Sequence, residues 1–162
     1  MSFAFFWKPD GPYGFLSNWS AHGIRDEGLR FKTMEHYMMY SKAILMDDSD
    51  TASRILSAKT PYAAKKLGRE VRNFNEDKWR LQRESIVHKG LTMKVDQHPD
   101  VKRQLIGTFG KVLAEASPYD TTWGIGLAAS DERANNQEHW RGENLLGKIW
   151  MQVREKLLLS EC

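Results

Sequence analysis

Cysteine is almost absent from this sequence, and no long apolar run is present. The single cysteine, Cys162, is the last residue, so an internal disulfide and a zinc site built on cysteines are both excluded. No segment approaches the ~20 apolar residues that a membrane-spanning helix needs. The apolar start, Phe3-Ala4-Phe5-Phe6-Trp7, is too short for the core of a signal peptide and follows no basic segment. We therefore expect a soluble cytoplasmic protein.

A strong excess of one charge is also missing. The chain carries 24 Lys and Arg against 21 Asp and Glu, a formal net charge of +3. This balance permits an anionic substrate but falls short of the concentrated basic surface of a dedicated DNA-binding protein. With 162 residues, of which 41% are hydrophobic, the sequence predicts one domain over residues 1–162 that buries roughly two thirds of its unfolded surface.

Several well-known catalytic motifs are absent. The five histidines show no HExxH spacing, and there is no P-loop, no GxGxxG and no G-x-S-x-G element. These absences remove support for metal-dependent hydrolysis, nucleoside triphosphate hydrolysis and serine hydrolase chemistry, and we expect neither a metal nor a cofactor. Carboxylates, a lysine and aromatic side chains remain as candidates.

Helix-start signals dominate the chain after its first thirty residues. Each is a capping side chain or a proline in the first turn. They are Thr33, Asp50, Thr60 with Pro61, Asn75 and Pro99. A last helix carries one apolar stripe, formed by Leu146, Ile149, Trp150, Val153 and Leu157. The earlier residues are typical of extended segments and turns, with a weak hairpin signal around Gly28. The sequence predicts a mainly α fold, a single compact domain with a short extended or β element near the N-terminus.

Two charged residues lie on one face of the helix that begins after Thr33. Glu35 and Lys42 are seven residues apart, so they point in nearly the same direction, about 10 Å apart along the axis. That separation is too long for a simple helix ion pair, but a small ligand fits between the two side-chain ends. The alternative is a pair of solvated surface charges, which periodicity alone favours.

The segment from Glu115 to Gly126 is unusually rich for a loop. It combines two carboxylates with Trp123 and two glycines, which let a backbone approach a ligand closely. The competing interpretation is a turn in which Asp120 hydrogen-bonds its own backbone and Trp123 fills the core. The residues leave both interpretations open.

Three further features have a structural and a functional interpretation. Phe15-Leu16-Ser17-Asn18-Trp19 is either an aromatic platform for a heterocycle or a core-closing segment. Trp79, on a predicted helix, is either a core residue or a stacking partner. Asn144 is predicted to cap the last helix, with a secondary role at a substrate phosphate near that helix N-terminus.

An ordered set of short motifs resembles the NADAR family, which includes the YbiA-like N-glycosidases. The motifs are Gly14-Phe15-Leu16-Ser17-Asn18-Trp19, Thr33-Met34-Glu35-His36-Tyr37 with Lys42-Ala43, Ala64-Lys65-Lys66-Leu67-Gly68-Arg69, Trp79, the Glu115–Gly126 loop, Asn144-Leu145-Leu146-Gly147 and Val153-Arg154. Each motif is weak alone, but their order spans about residues 5–158. The segments Lys94-Val95 and Ile149-Trp150-Met151 depart from the usual family pattern.

The resemblance implies a compact, mainly α fold and an N-glycosidase. YbiA-like members hydrolyse the ribose C1–N bond of early phosphorylated riboflavin-biosynthesis intermediates, so the implied partner is a phosphoribosyl aminopyrimidine. Other members remove ADP-ribose from guanine in nucleic acid, and a third alternative is a non-catalytic module that binds ADP-ribose or a nucleotide. A basic strip in this chain, Lys65, Lys66, Arg69 and Arg72, is either a nucleic-acid contact or, as we favour, a solvated helix face.

The resemblance also selects the site residues. The predicted catalytic residues are Glu35, Lys42 and Asp120. The predicted substrate-binding residues are Ser17, Asn18, Trp19, Trp79, Trp123 and Gly124. One carboxylate is expected to stabilise an oxocarbenium-like transition state or activate water, while the other serves as acid or positions ribose. Lys42 is expected either to contact phosphate or to form a Schiff base with ring-opened ribose.

Overall fold

The computed structural model describes residues 1–161, and the single cysteine, Cys162, lies outside the described residues. Its helices are α1 (Met34–Leu45), α2 (Ser49–Ser57), α3 (Pro61–Gly68), α4 (Glu76–Gln97), α5 (Pro99–Ile106) and α6 (Leu145–Ser160). Its strands are β1 (Phe3–Phe6), β2 (Ile24–Asp26), β3 (Leu29–Phe31) and β4 (Val112–Glu115). Short 3-10 turns occupy Gly14–Leu16, Glu132–Asn135 and Gln137–His139. The predicted mainly α fold with a small β component is confirmed.

The chain forms two compact units, one from residues 18–98 and the other from residues 1–17 together with the chain from residue 99. The prediction of a single domain over residues 1–162 stays a prediction. No helix among the described residues is long and apolar enough to cross a membrane.

Helix α1 is the central element of the 18–98 unit and packs against α2, α3 and α4. Thr33 caps it, because the Thr33 side chain accepts a hydrogen bond from the His36 amide at 3.3 Å. Every residue from 34 to 39 is buried, so burial extends around the whole circumference of the first turns of α1. Other helices cover α1 on several sides, which explains why charged as well as apolar positions are enclosed.

The local start signals are mostly confirmed in this unit. Thr60 and Asn75 accept hydrogen bonds from amides of the first turns of α3 and α4, and β2 and β3 form the antiparallel hairpin around Gly28. The predicted cap of the second helix is wrong: Asp48, not Asp50, accepts the Thr51 amide at 3.1 Å. Asp48 also binds Arg72, a distant contact that fixes its position.

The other unit is built on a parallel pair of strands and the last helix. Strand β1 pairs with β4 from Phe3 opposite Val112 to Phe6 opposite Glu115. Helix α6 packs on β4 and buries four members of its predicted stripe, Leu146, Ile149, Trp150 and Val153. The Trp150 indole donates to the Leu16 carbonyl at 2.9 Å, so the helix also holds the Gly14–Leu16 turn.

Candidate active site

The structure brings five of the predicted site residues into the 18–98 unit. They are Asn18, Trp19, Glu35, Lys42 and Trp79. The remaining four, Ser17, Asp120, Trp123 and Gly124, belong to the other unit. The two groups are described separately below.

Glu35 lies in the first turn of α1, where it is only 5% exposed. The Trp19 indole donates to Glu35 Oε1 at 3.4 Å, and the Glu35 amide donates to the Asn18 carbonyl at 3.0 Å. The segment before the hairpin is therefore joined to the start of α1 at this residue. The interpretation of Glu35 as a solvated surface charge is wrong.

Asn18 supplies an additional polar atom beside Glu35. The residue is 8% exposed, and its Oδ1 atom is buried without a hydrogen-bond partner among the described residues. An unsatisfied buried acceptor costs about 1–3 kcal/mol, so a ligand hydroxyl or amino group that donates to this atom would recover that cost.

Lys42 extends from the same face of α1, two turns further on. Its Nζ donates to the Gly68 carbonyl at 2.8 Å and lies over two aromatic rings, 4.7 Å from the Phe74 centroid and 6.0 Å from the Trp79 centroid. Burial lowers the pKa of the Lys42 amine below its usual 10.5, and Arg69 lowers it further, while Glu35 and Glu76 oppose the shift. The amine is thus enclosed, fixed in direction and easier to deprotonate than an ordinary lysine.

Gly68 makes this position of the amine possible. A Cβ at Gly68 would collide with the Met39 side chain, so glycine lets the end of α3 lie this close to α1 with Met39 in its present position. The close approach places the Gly68 carbonyl at the Lys42 amine. Gly68 is therefore a residue that shapes the site, although the sequence indicated it only as part of a family motif.

Aromatic side chains line the same region. Trp79 is 7% exposed, so it is a buried residue that also contacts the lysine. Phe74, 41% exposed, and Tyr62, 65% exposed, were missed from the sequence, and the Tyr62 ring meets Trp19 edge to face at 6.5 Å. An aromatic directly before a helix cap, as Phe74 is before Asn75, is the local signal that would have drawn attention to it.

In the other unit, Asp120 organises its own loop. Asp120 Oδ1 accepts the amides of Thr122 and Trp123 at 2.9 and 2.8 Å, as the turn interpretation predicted. Trp123 is half-buried and Gly124 fully buried. A Cβ at Gly124 would meet the Glu115 and Asp120 carbonyl oxygens, so backbone packing accounts for the glycine. Ser17 is buried and ends the Gly14–Leu16 turn.

Asn144 is at the start of α6 but does not cap it with its side chain. Its backbone is left-handed, with φ of 53°, and its side chain instead accepts from the Glu115 amide and donates to the Leu113 carbonyl, both at 3.0 Å. The loop carbonyls of residues 122 and 123 accept the Leu145 and Leu146 amides. Those amides therefore face protein, which argues against a phosphate at this helix N-terminus.

No cluster of three or more His, Cys, Asp or Glu among residues 1–161 is arranged to hold a metal ion. The candidate site of the 18–98 unit therefore contains a buried carboxylate and a half-buried amine on one helix. Aromatic rings surround both groups.

Comparison with known proteins decides the family. The sequence profile of the NADAR domain matches residues 5–158. This chain belongs to the NADAR family. The NMR structure of the Escherichia coli protein YbiA superposes on this NADAR chain with a TM-score of 0.80 at 27% identity, covering 99% of this chain and 87% of that one.

Three relatives extend the comparison. Protein irg-1 of Caenorhabditis elegans is 38% identical over 135 residues, which are 82% of this chain but only 64% of that protein. N-glycosidase R617 of Acanthamoeba polyphaga mimivirus is 39% identical over 142 residues, 88% of this chain and 84% of that protein. The maize "Riboflavin biosynthesis protein PYRR, chloroplastic" is 30% identical over 165 residues, 94% of this NADAR chain and 25% of the maize protein.

Proposed function

We propose that this chain is an N-glycosidase that hydrolyses the ribose C1–N bond of early phosphorylated riboflavin-biosynthesis intermediates. The observation that carries the proposal is the pairing, on one helix face, of the buried Glu35 carboxylate with the enclosed Lys42 amine. Aromatic rings beside both groups supply flat surfaces for a heterocyclic base.

Relatives support the proposal at two levels. The first level is the reaction class. Several relatives carry the name N-glycosidase, which confirms the predicted class, a hydrolase acting on N-glycosidic bonds. The riboflavin substrate has narrower support, because the maize relative is named for riboflavin biosynthesis and this chain covers a quarter of it, 25%.

Glu35 is the proposed carboxylate of the reaction. Cleavage of the C1–N bond develops positive charge on the sugar, and a fixed carboxylate stabilises that charge or takes a proton from the attacking water. Glu35 is suited to this because burial keeps competing water away from it and the Trp19 indole holds one carboxylate oxygen. The unsatisfied Oδ1 of Asn18 is a suitable acceptor for a ribose hydroxyl.

Lys42 is the proposed nucleophile that attacks C1 of the ring-opened sugar. Its lowered pKa and enclosure favour amine chemistry over a simple phosphate contact, because a Schiff base needs the neutral amine. In this route the opened sugar carries a C1=N bond to the base nitrogen. The amine adds to C1, the C1–N bond to the base breaks as that nitrogen takes up a proton, and water then hydrolyses the lysine imine to release ribose 5-phosphate.

Trp19 and Trp79 are the proposed walls of the base site. Each lies next to a reactive group: Trp19 at the Glu35 carboxylate and Trp79 at the Lys42 amine. Stacking of a base on an aromatic ring contributes about 1–3 kcal/mol. Tyr62, which meets Trp19 edge to face, extends this wall.

The loop of the other unit contributes the proposed second group of residues. Asp120 is proposed as a second carboxylate that acts through Oδ2, because Oδ1 already accepts two amides. Trp123, Gly124 and Ser17 are proposed substrate contacts. Arg72, part of the basic strip, is held by Asp48 at 2.9 Å, so its guanidinium is already paired within the protein.

The test is a side-by-side turnover assay with two substrates. The purified chain meets the phosphorylated aminopyrimidine intermediate and an oligonucleotide that carries ADP-ribosylated guanine. We expect ribose 5-phosphate from the first substrate and no ADP-ribose from the second. The reverse result would overturn the substrate assignment, and silence on both would make the chain a binding module.

Variants then test the residues. Glu35→Gln and Lys42→Met are expected to lower kcat by at least ~100-fold, about 2.7 kcal/mol of transition-state stabilisation. Exposed residues supply the matched controls, Glu84→Gln and Lys66→Met, which should retain activity. Borohydride added during turnover should trap a sugar adduct on Lys42, and undiminished turnover by Lys42→Met would eliminate the Schiff-base step.

A further inference from the structure

The charged side chains around the Lys42 amine differ in whether they already have an ion-pair partner. Glu35 and Glu76 are the nearby carboxylates, and Arg69 is the nearby cation. Glu76 already accepts from Arg80 at 3.1 Å. Arg69 is exposed and has no ion-pair partner among residues 1–161. A guanidinium beside the reactive lysine is therefore available to an anion.

The nearby Arg72 is an arginine of the same segment whose contacts serve the fold. Its guanidinium bonds Asp48 at 2.9 Å and Asp50 at 3.2 Å, and its amide donates to Asp48 at 2.9 Å. These contacts fix the turn after α3. Arg69, three residues earlier, makes no such contact, so fold stability does not account for its side chain.

The backbone holds Arg69 next to the site. It directly follows Gly68, whose carbonyl is 2.8 Å from Lys42 Nζ, and its own amide donates to the Lys66 carbonyl at 3.1 Å. The close packing of Gly68 against Met39 shows that this end of α3 lies directly on α1. A flexible side chain thus starts from a fixed point one residue from the amine.

The proposed reaction requires a phosphate contact of this kind. If Lys42 acts on C1 of the sugar, it does not also hold the phosphate at the far end of the same five-carbon chain. A second cation within one sugar length of the amine would supply that contact. A guanidinium is suited to this because its planar donors bind two phosphate oxygens at once.

We propose that Arg69 binds the phosphate group of the phosphoribosyl substrate and so gives the site its preference for phosphorylated sugars. The inference rests on the proposed function for the sugar but not on the identity of the base. It also separates two tasks that the sequence had assigned to Lys42 as alternatives.

Direct binding of the sugar product tests the inference without requiring turnover. Ribose 5-phosphate and ribose are titrated against the full chain by calorimetry, with wild type, Arg69→Gln, Arg69→Lys and a Lys66→Gln control. Lys66 lies on the same helix, about 180° from the face that carries Ala64 and Gly68. The Lys66→Gln variant therefore removes one positive charge, as Arg69→Gln does, but at a position that faces away from α1.

We expect Arg69→Gln to bind ribose 5-phosphate about 10- to 100-fold more weakly, the size of a lost charge-assisted hydrogen bond. Ribose binding should not change in any variant, Arg69→Lys should be intermediate and Lys66→Gln should match wild type. Equal ribose 5-phosphate affinities for wild type and Arg69→Gln would overturn the inference. So would an equal loss for ribose, because that would indicate a damaged sugar site rather than a lost phosphate contact.

Turnover separates failure of this inference from failure of the proposed function. If wild type binds ribose 5-phosphate through Arg69 but hydrolyses no riboflavin intermediate, the phosphate contact stands and the reaction is wrong. If wild type hydrolyses the intermediate and Arg69→Gln does so with unchanged KM, the reaction stands and the phosphate contact is wrong.

Discussion

Replacing Asn144 with alanine should be among the most destabilising single changes at a polar residue of this chain. The substitution leaves the Glu115 amide and the Leu113 carbonyl, both bonded to Asn144 at 3.0 Å, without their partner. Loss of two such bonds costs about 2–4 kcal/mol. Alanine also tolerates the left-handed backbone, φ of 53°, less well than asparagine, which adds about 1 kcal/mol. We expect a total of about 3–5 kcal/mol.

The chain offers a matched control for the backbone contribution. Asn73 is also left-handed, with φ of 56°, but it is exposed, so Asn73→Ala should cost only about 1 kcal/mol. Asn144→Gly removes the side-chain bonds without backbone strain and should cost about 2–4 kcal/mol. Urea denaturation followed by circular dichroism measures all three. If Asn144→Ala and Asn73→Ala lower the free energy of unfolding equally, the hydrogen bonds from the Asn144 side chain to β4 contribute nothing to stability. That result would refute the prediction.

Three further predictions concern the 18–98 unit. Gly68→Ala should push Met39 and displace the carbonyl from Lys42, so kcat should fall at least ~10-fold. The control Gly11→Ala, whose Cβ meets open space, should keep its activity, and equal rates for the two variants would contradict the prediction. Because the neutral amine of Lys42 reacts, kcat should rise with pH through a pKa below 10.5, and Lys42→Met should lack that rise. Burial lowers the pKa of His36 below 6.5, so protonation favours the unfolded chain; unfolding free energy should fall as pH drops below 6.5, and His36→Gln should flatten that slope.

Local chemistry made the helix starts predictable. Thr33, Thr60 and Asn75 cap the helices that they were predicted to cap, because a cap needs only its own next turn. Asp48 was missed because Asp50 offers the same capping chemistry two residues later, and the contact from Arg72 that fixes Asp48 is distant in sequence. A contact between residues 24 apart leaves no trace in local sequence.

Burial of charged groups was the least predictable part of the candidate site. Periodicity placed Glu35 on a polar face, yet it is 5% exposed, and Lys94, in α4, is 0% exposed with its amine on the Ser20 hydroxyl at 2.7 Å. Helical spacing tells which residues share a face but not how many neighbours cover the helix. Helical spacing placed Glu35 and Lys42 on one face, but only the ordered family motifs favoured a functional role for them. The structure adds that the Glu35 carboxylate is close enough to raise the pKa of the Lys42 amine against the effect of burial.

The parallel pairing of β1 with β4 has a consequence for how the chain emerges from the ribosome. Residues 18–98 form one uninterrupted unit, so all of its parts are available once that stretch has been made. Phe3, in contrast, pairs with Val112. The apolar strand that contains Phe3 therefore has no strand partner until the ribosome has synthesised β4. Long-range strand pairing is slow and exposes aggregation-prone surface. Protease cleavage of ribosome-stalled chains should therefore spare residues 18–98 well before it spares the first seventeen, and the N-terminal aromatic strand is the part of a nascent chain most in need of a chaperone.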